Sequence, residues 1–229
     1  MRLLHGSNRI LMRPTLAGGK PTNDYGSGFY CTRELEMAKE WACKENTDGF
    51  VNIYELQEEG LTVLNMLDGE HTVLNWIAIL LQNRLFSIQD EISLDAKTYL
   101  LTHFVPDTAG ADIIVGYRAD DSYFSYAQAF LNNTLPLRSL SRALTLGKLG
   151  VQVALVSDKA FSRLSFVNAE PVPKAVYYPK YQKRDSEARR VFREEIRTEA
   201  GYRNDVFVLD ILREEIKNDD PRIQRIVLS

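Results

Sequence analysis

The sequence predicts an α+β fold, and three observations carry that prediction. Short apolar runs such as Leu3-Leu4, Ile113-Ile114-Val115 and Val153-Ala154-Leu155-Val156 have the length and composition of strands. Between them stand segments of helical spacing, such as Leu35, Ala38, Trp41 and Ala42. The two kinds follow no regular βαβ rhythm, so helices inserted among short strands are expected rather than a doubly wound parallel sheet. At 229 residues and 45% hydrophobic content, the chain can bury a sizeable core without disulfides or metal.

Taken in order, residues 2–5 form a strand that ends in His5-Gly6-Ser7. Pro14, Gly18, Gly19, Pro21 and Gly26 make 10–26 a long loop. Phe29 to Thr32 is a strand end, and Thr32 is placed to cap a helix over 33–45 with Glu34 in its first turn. Residues 51–56 alternate as a strand, and 61–65 follow Gly60 as another. The stripe Val73, Leu74, Ile77, Leu80, Leu81, Leu85 gives a helix over 71–86, and 93–104 gives the next. Residues 112–116 are a buried strand. Asp120 or Asp121 can cap a helix over 121–132, and Pro136 opens one that ends near Gly147. Residues 152–157 form a strand and 158–163 a helical turn, and 164–167 and 174–178 are two further short strands. Beyond Pro179 the composition becomes charged, with a helix over 184–200 and a second over 205–217. The expected division is a main domain at 1–178 and a helical extension at 179–229.

The charge balance is 28 basic against 31 acidic side chains, a net −3, which argues against a general nucleic-acid binder. The basic run Lys180, Lys183, Arg184, Arg189, Arg190, Arg193, Arg197 is interleaved with acidic residues such as Asp185, Glu187, Glu194, Glu195 and Glu199. That pattern suits a solvated helix face or the docking of a partner such as an inhibitor protein. Cys31 and Cys43 have neither metal-ligand spacing nor further cysteines to pair with, so we expect no metal and a reducing, cytoplasmic setting. The start of the chain lacks a long apolar run, so no secretory leader is expected. The longest apolar stretch, Trp76 to Leu81, is too short to span a bilayer.

Two segments suggest chemistry. In His5-Gly6-Ser7 the glycine lets a ligand approach the backbone, and the flanking side chains offer donors and acceptors for a ribose or an amide-bearing ring. In Asp24-Tyr25-Gly26-Ser27-Gly28-Phe29-Tyr30-Cys31-Thr32, a glycine-flanked turn runs into aromatics. Together they suggest a pocket floor of backbone and aromatic faces, in an enzyme that uses NAD without a Rossmann fingerprint. Tyr30 is either core packing or a ring face of that pocket. Trp41 follows eleven residues later, as a core residue or as a wall facing Tyr30 across a slot. Arg118, in Arg118-Ala119-Asp120-Asp121, is a residue of a solvated helix cap or a contact for a diphosphate or an acceptor. His71 and His103 sit in helical segments and are surface or packing residues.

These segments, in this order, resemble the diphtheria-toxin and poly(ADP-ribose) polymerase branch of the ADP-ribosyltransferases, which uses a His-Tyr-Glu triad on three strands. The late strand around Val151-Gln152-Val153-Ala154-Leu155 is similar to the strand that carries the glutamate, with Gln152 in its place. More closely, residues 3–167 resemble the uncharacterised DUF3990 family of bacterial proteins, which share His-Gly-Ser, Gly-x-Gly-Phe-Tyr-x-Thr, a strand followed by Ala-Asp-Asp, and the late Gln strand. The resemblance implies an ADP-ribosyltransferase-like split β-sheet core. It implies that Gly6 bonds the nicotinamide carboxamide through its backbone, that His5 contacts the adenosine ribose, and that Ser7 contacts a ribose hydroxyl. Gly28 and Phe29 belong to the same binding motif, and Tyr30 and Trp41 sandwich the nicotinamide ring. His5, Tyr30 and Gln152 would form the catalytic set. Gln152 keeps a hydrogen-bonding carbonyl and lacks the carboxylate charge, which fits transfer of a single ADP-ribose rather than chain elongation. The expected activity is NAD-dependent mono-ADP-ribosyl transfer to a macromolecular acceptor, protein or nucleic acid. By analogy the protein would be a bacterial toxin or defence effector with an antitoxin partner. The alternatives are an NAD glycohydrolase and a catalytically silent NAD- or ADP-ribose-binding module.

Overall fold

The computed structural model describes residues 1–119, 121–146, 150–197, 205–223 and 225–227. The chain is α+β and divides into two units, Met1–Asn65 with Thr108–Arg118 and Gly150–Ser186, and Met66–Asp107 with Ala119–Leu149 and Glu187–Ser229.

The first unit holds two sheets. One has the order β1-β3-β8, from β1 (Arg2–Ser7), β3 (Gly49–Leu56) and β8 (Leu164–Val172), all antiparallel. The other has the order β2-β7-β6-β4, from β2 (Phe29–Cys31), β7 (Val151–Leu155), β6 (Ile113–Tyr117) and β4 (Val63–Asn65), with only the β4–β6 pair parallel. Among the described residues, β1 and β2 pair at a single bridge, Leu4 with Thr32, whose amides and carbonyls exchange bonds of 2.9 and 2.8 Å.

Strand alternation sorts the side chains into two faces. Leu3, Phe29, Cys31, Tyr54, Leu56, Ile113, Val153 and Leu155 form a buried core on one face. Across the registers Leu4↔Thr32, Tyr30↔Ala154 and Gly116↔Gln152, the other face carries Leu4, Gly6, Tyr30, Thr32, Gln152 and Ala154. Helix α1 (Leu35–Ala42) covers this second face at β1 and β3, where Ala38 and Ala42 join Leu4, Val51, Ile53 and Val172 in a second apolar cluster. A Cβ on Gly6 would stand 2.1 Å from the Ala38 carbonyl oxygen, and one on Gly49 2.1 Å from that of Ala42, so both glycines admit the helix.

The second unit is mainly helical. Helix α2 (Val73–Asn83) is buried from Val73 to Leu81. Its start is closed by a capping box, with Thr72 N–H donating to Asn75 Oδ1 at 2.7 Å and Asn75 N–H to Thr72 Oγ1 at 3.4 Å. The same unit holds α3 (Glu91–His103), α4 (Asp121–Leu131), α5 (Leu137–Leu146) and α8 (Val208–Arg213), whereas the short α6 (Asp158–Ser162) belongs to the first unit. No helix among the described residues is long and apolar enough to cross a membrane.

Several expected elements change. The strand over 174–178 and the helix over 184–200 are one helix, α7 (Lys174–Arg197), and 198–200 lie outside the described residues. Strand β8 instead continues to Val172, because its pairing with β3 runs the whole length of that strand. Pro179 gives up one ladder bond inside α7 without ending it. The helix over 33–45 is shorter, because Glu34 is its N-cap and Cys43 is already extended. Thr32 is spent on the Leu4 bridge, while its hydroxyl accepts from Glu34 N–H at 3.1 Å. His71 lies on a strand, β5 (Asp68–Thr72), not in a helix, and β5 pairs with β9 (Arg225–Val227); neither strand shows apolar alternation. The helix over 205–217 is confined to 208–213. Asp120 and the side chain of Asp121 lie outside the described residues.

Candidate functional site

All the expected site residues fall in the first unit, where the β1–β2 junction organises them. After the Leu4–Thr32 bridge, a continued antiparallel ladder would have Gly6 N–H donate to the Tyr30 carbonyl. The His5 ring takes that place, with Nδ1 2.7 Å from Tyr30 O. The amide and carbonyl of Gly6 point the same way as those of Leu4, away from β3 and toward β2, and no main-chain partner among the described residues meets them. The junction therefore presents one free peptide-like donor and acceptor, side by side.

The state of His5 follows from its surroundings. A carbonyl only accepts, so Nδ1 carries the proton and Nε2 is the acceptor. The ring lies on Phe29 with centroids 4.4 Å apart, and burial pushes its pKa below the ordinary value, which keeps it neutral. Phe29 itself is a core residue, with its ring edge-on to Tyr54 at 5.4 Å. Ser7 ends β1 and its Oγ accepts from Arg9 N–H at 3.3 Å.

Tyr30 and Gln152 are joined by a loop. The Tyr30 hydroxyl donates to Gly26 O at 2.6 Å and accepts from Tyr25 N–H at 3.0 Å. Burial pushes the phenol pKa up, so the group is held as a neutral hydrogen-bonding post rather than an acid or base. The Tyr25 hydroxyl donates to Tyr117 O at 2.8 Å. Gln152, buried in β7, donates from Nε2 to Asp24 Oδ2 at 2.9 Å and to Tyr117 O at 3.4 Å. Residues 24–26 are thus tied to three strands of their own sheet. Gly28 sits where a Cβ would be 2.8 Å from Leu155 O, so it serves strand packing.

Trp41 and Arg118 stack on one another. The Trp41 Cβ would lie 2.8 Å from a Cβ on Gly6, which puts this residue over the β1 end. The Arg118 guanidinium lies over the indole at 4.9 Å, and Arg118 N–H donates to Gly150 O at 3.3 Å. Met37, one turn earlier on α1, fills the space beside Gly150. Among the described residues no ring contact joins Tyr30 to Trp41, and the buried Trp41 indole N–H has no hydrogen-bond acceptor.

Sequence reasoning did not single out Asp24, Tyr25 or Asn52 for a role. Asn52 is fully buried; its Nδ2 donates to the carbonyls of His5 (3.4 Å) and Arg9 (3.1 Å), and its Oδ1 accepts from Leu11 N–H at 2.8 Å. The available signal was its polarity inside the apolar strand Val51–Leu56. Gly6 also gains a second explanation, since α1 alone requires a glycine there.

A family model described as a protein of unknown function (DUF3990) matches residues 1–166. The chain belongs to the DUF3990 family. Every residue of the β1–β2 junction, the 24–26 loop, Trp41, Arg118 and Gln152 lies inside the matched DUF3990 span, and α7 lies beyond it. No curated protein and no solved structure matches the chain. Among the described residues no cluster of His, Cys, Asp or Glu is arranged to hold a metal ion.

Proposed function

We propose that the protein is an NAD-dependent mono-ADP-ribosyltransferase with an ADP-ribosyltransferase-like split sheet at its centre. The observation that carries this reading is the β1–β2 junction, where His5 replaces Gly6 as donor to Tyr30 O and leaves a free peptide N–H and C=O. A carboxamide has the complementary acceptor and donor, so nicotinamide is the ligand chemistry that uses both. The residues fit the rest of NAD as well. His5 Nε2 is an acceptor for a ribose hydroxyl, and Ser7 is adjacent. Arg118 held on Trp41 suits the diphosphate, and the unsatisfied Trp41 N–H awaits an acceptor. The Tyr30 ring offers a face to the cationic nicotinamide, worth roughly 0.5–2 kcal/mol. Because Arg118 already lies over the Trp41 ring, we assign the sandwiching role to Tyr30 and the diphosphate role to the Trp41–Arg118 pair.

Bound NAD supplies a ribose–nicotinamide bond whose cleavage returns its electron pair to the ring nitrogen, releases neutral nicotinamide and leaves the ribose carbon to an acceptor that loses a proton. The chain's residues hold the carboxamide at Gly6, fix the ribose hydroxyls through His5 and Gln152, and shield the ribose from water with the 24–26 loop. The modified macromolecule, the toxin or defence role and an antitoxin partner belong to the same proposal by analogy.

A second reading has one observation in its favour: the Tyr30 hydroxyl and the Gln152 amide nitrogen are both spent on the 24–26 loop, as in a silent NAD- or ADP-ribose-binding module. Incubation with NAD labelled in the adenosine half separates the readings. Nicotinamide release with labelled macromolecule supports transfer, release without label supports hydrolysis, and binding without release supports the silent module. Tyr30→Ala lowers NAD affinity about tenfold or more in calorimetry; an unchanged affinity removes Tyr30 from the site.

A further inference from the structure

The amide of Gln152 brings no charge of its own, yet a carboxylate stands directly behind it. Gln152 Nε2 donates to Asp24 Oδ2 and to the Tyr117 carbonyl. Both partners are acceptors, which fixes the amide orientation: nitrogen toward Asp24, oxygen on the other side. Among the described residues no donor meets Gln152 Oε1. Asp24 is only 6% exposed, and the chain around it is held by the Tyr25 hydroxyl on Tyr117 O and by Tyr25 N–H on the Tyr30 hydroxyl. A buried amide that donates to a carboxylate becomes a stronger acceptor at its oxygen.

Resting on the transferase reading above, we propose that Asp24 is the positioning residue of the site: it turns Gln152 Oε1 toward the nicotinamide-ribose hydroxyl and places a negative charge one hydrogen bond behind it. The pair then does with two residues what a glutamate does with one, stabilising positive charge as it develops on the ribose.

The test compares the wild type with D24N, Q152E and the double variant D24N/Q152E by nicotinamide release, NAD affinity and NMR of the Gln152 side-chain amide. D24N keeps NAD affinity within about threefold while kcat falls about 10- to 100-fold. Q152E sets two carboxylates at hydrogen-bond distance and loses at least as much. The double variant returns a charge at 152 and a donor at 24, and its kcat recovers to within about tenfold of the wild type. Independently of turnover, the Gln152 amide protons exchange slowly in the wild type and at the solvent-exposed rate in Asp24→Ala. D24N with wild-type kcat, a double variant no better than the product of the singles, or unprotected amide protons in the wild type each overturns the role of Asp24 while the site reading stands. A wild type that releases no nicotinamide overturns the transferase reading, and the role of Asp24 falls with it. Where D24N alone does not fold, the double variant decides: recovery of fold and turnover together supports the pair, and recovery of neither overturns it.

Discussion

The two faces of β1, β2 and β7 make opposite use of one backbone. On the core face, Leu3, Phe29, Cys31, Val153 and Leu155 are defined by volume, and even the His5 ring packs against Phe29, tilted by 31°. On the other face, Gly6, Tyr30 and Gln152 are defined by where their polar groups or their lack of a side chain lead: into the β1–β2 junction, the 24–26 loop and α1. Packing holds the first face together, and directed hydrogen bonds organise the second. Among the described residues the second face leaves Gln152 Oε1 without a donor, and at the edge of the first His5 Nε2 is left as an acceptor.

The contrast breaks hardest at Gly6. A methyl there meets the Ala38 carbonyl at 2.1 Å and Ala42 N at 2.7 Å, both helix backbone, so α1 must move off β1 and take Trp41 with it. Gly6→Ala is expected to cost about 3 kcal/mol or more, the upper end of overpacking effects. Gly60→Ala is the control. It has positive φ of 76° and open space around it, so only backbone strain of about 1 kcal/mol is charged. Urea unfolding of both variants checks the difference, and equal losses mean that α1 is not seated on Gly6.

A smaller effect sharpens the core face. The half-buried His5 ring is neutral, with desolvation lowering its pKa from the ordinary 6.5. The unfolded chain binds a proton at His5 more readily than the folded one, so this contribution is complete above about pH 6.5 and is lost as pH falls from there toward the folded pKa. Thermal melts between pH 8 and 5 are expected to show a drop in Tm that is less steep in His5→Gln. Parallel slopes for the two proteins would mean that His5 does not titrate differently on folding.

The same contrast explains what the sequence made legible. Core-face strands announce themselves by apolar composition, as Ile113–Tyr117 and Val151–Leu155 do, and those elements fall where periodicity places them. His5, Gly6, Tyr30 and Gln152 stood out as a motif, but their partners did not. Asp24 and Tyr25 lie in a loop with no periodicity, and their bonds to Gln152 and Tyr117 span 128 and 92 residues, distances that no local pattern encodes. Nor does spacing reveal that His5 would displace Gly6 from its ladder bond, since that depends on where β2 parts from β1. At 174–178, the run Ala175-Val176-Tyr177-Tyr178, rich in β-branched and aromatic side chains, imitated a strand; Tyr177 and Tyr178 pack against the α1-side cluster from a helix instead.

That helix provides the mildest test, because its ion pairs meet α1 at Glu36 and Glu40 and none of them meets the β1–β2 junction. Arg184 Nε meets Glu40 Oε2 at 2.8 Å with both side chains largely covered, at 16% and 15% exposed, whereas Lys180 meets Glu36 at 2.9 Å in the open, at 49% and 59%. Solvent screens the second pair and its long side chains lose entropy on pairing, so Lys180→Ala is expected to leave the Tm unchanged within error. Arg184→Ala is expected to lower stability by about 1 kcal/mol, since Glu40 loses a partner in a less solvated place. If α7 braces the helix that carries Trp41, Arg184→Ala also weakens NAD binding slightly while Lys180→Ala does not, and calorimetry on the two variants measures that difference. Equal affinities would confine α7 to a structural role and leave the site to the β1–β2 junction and its loop.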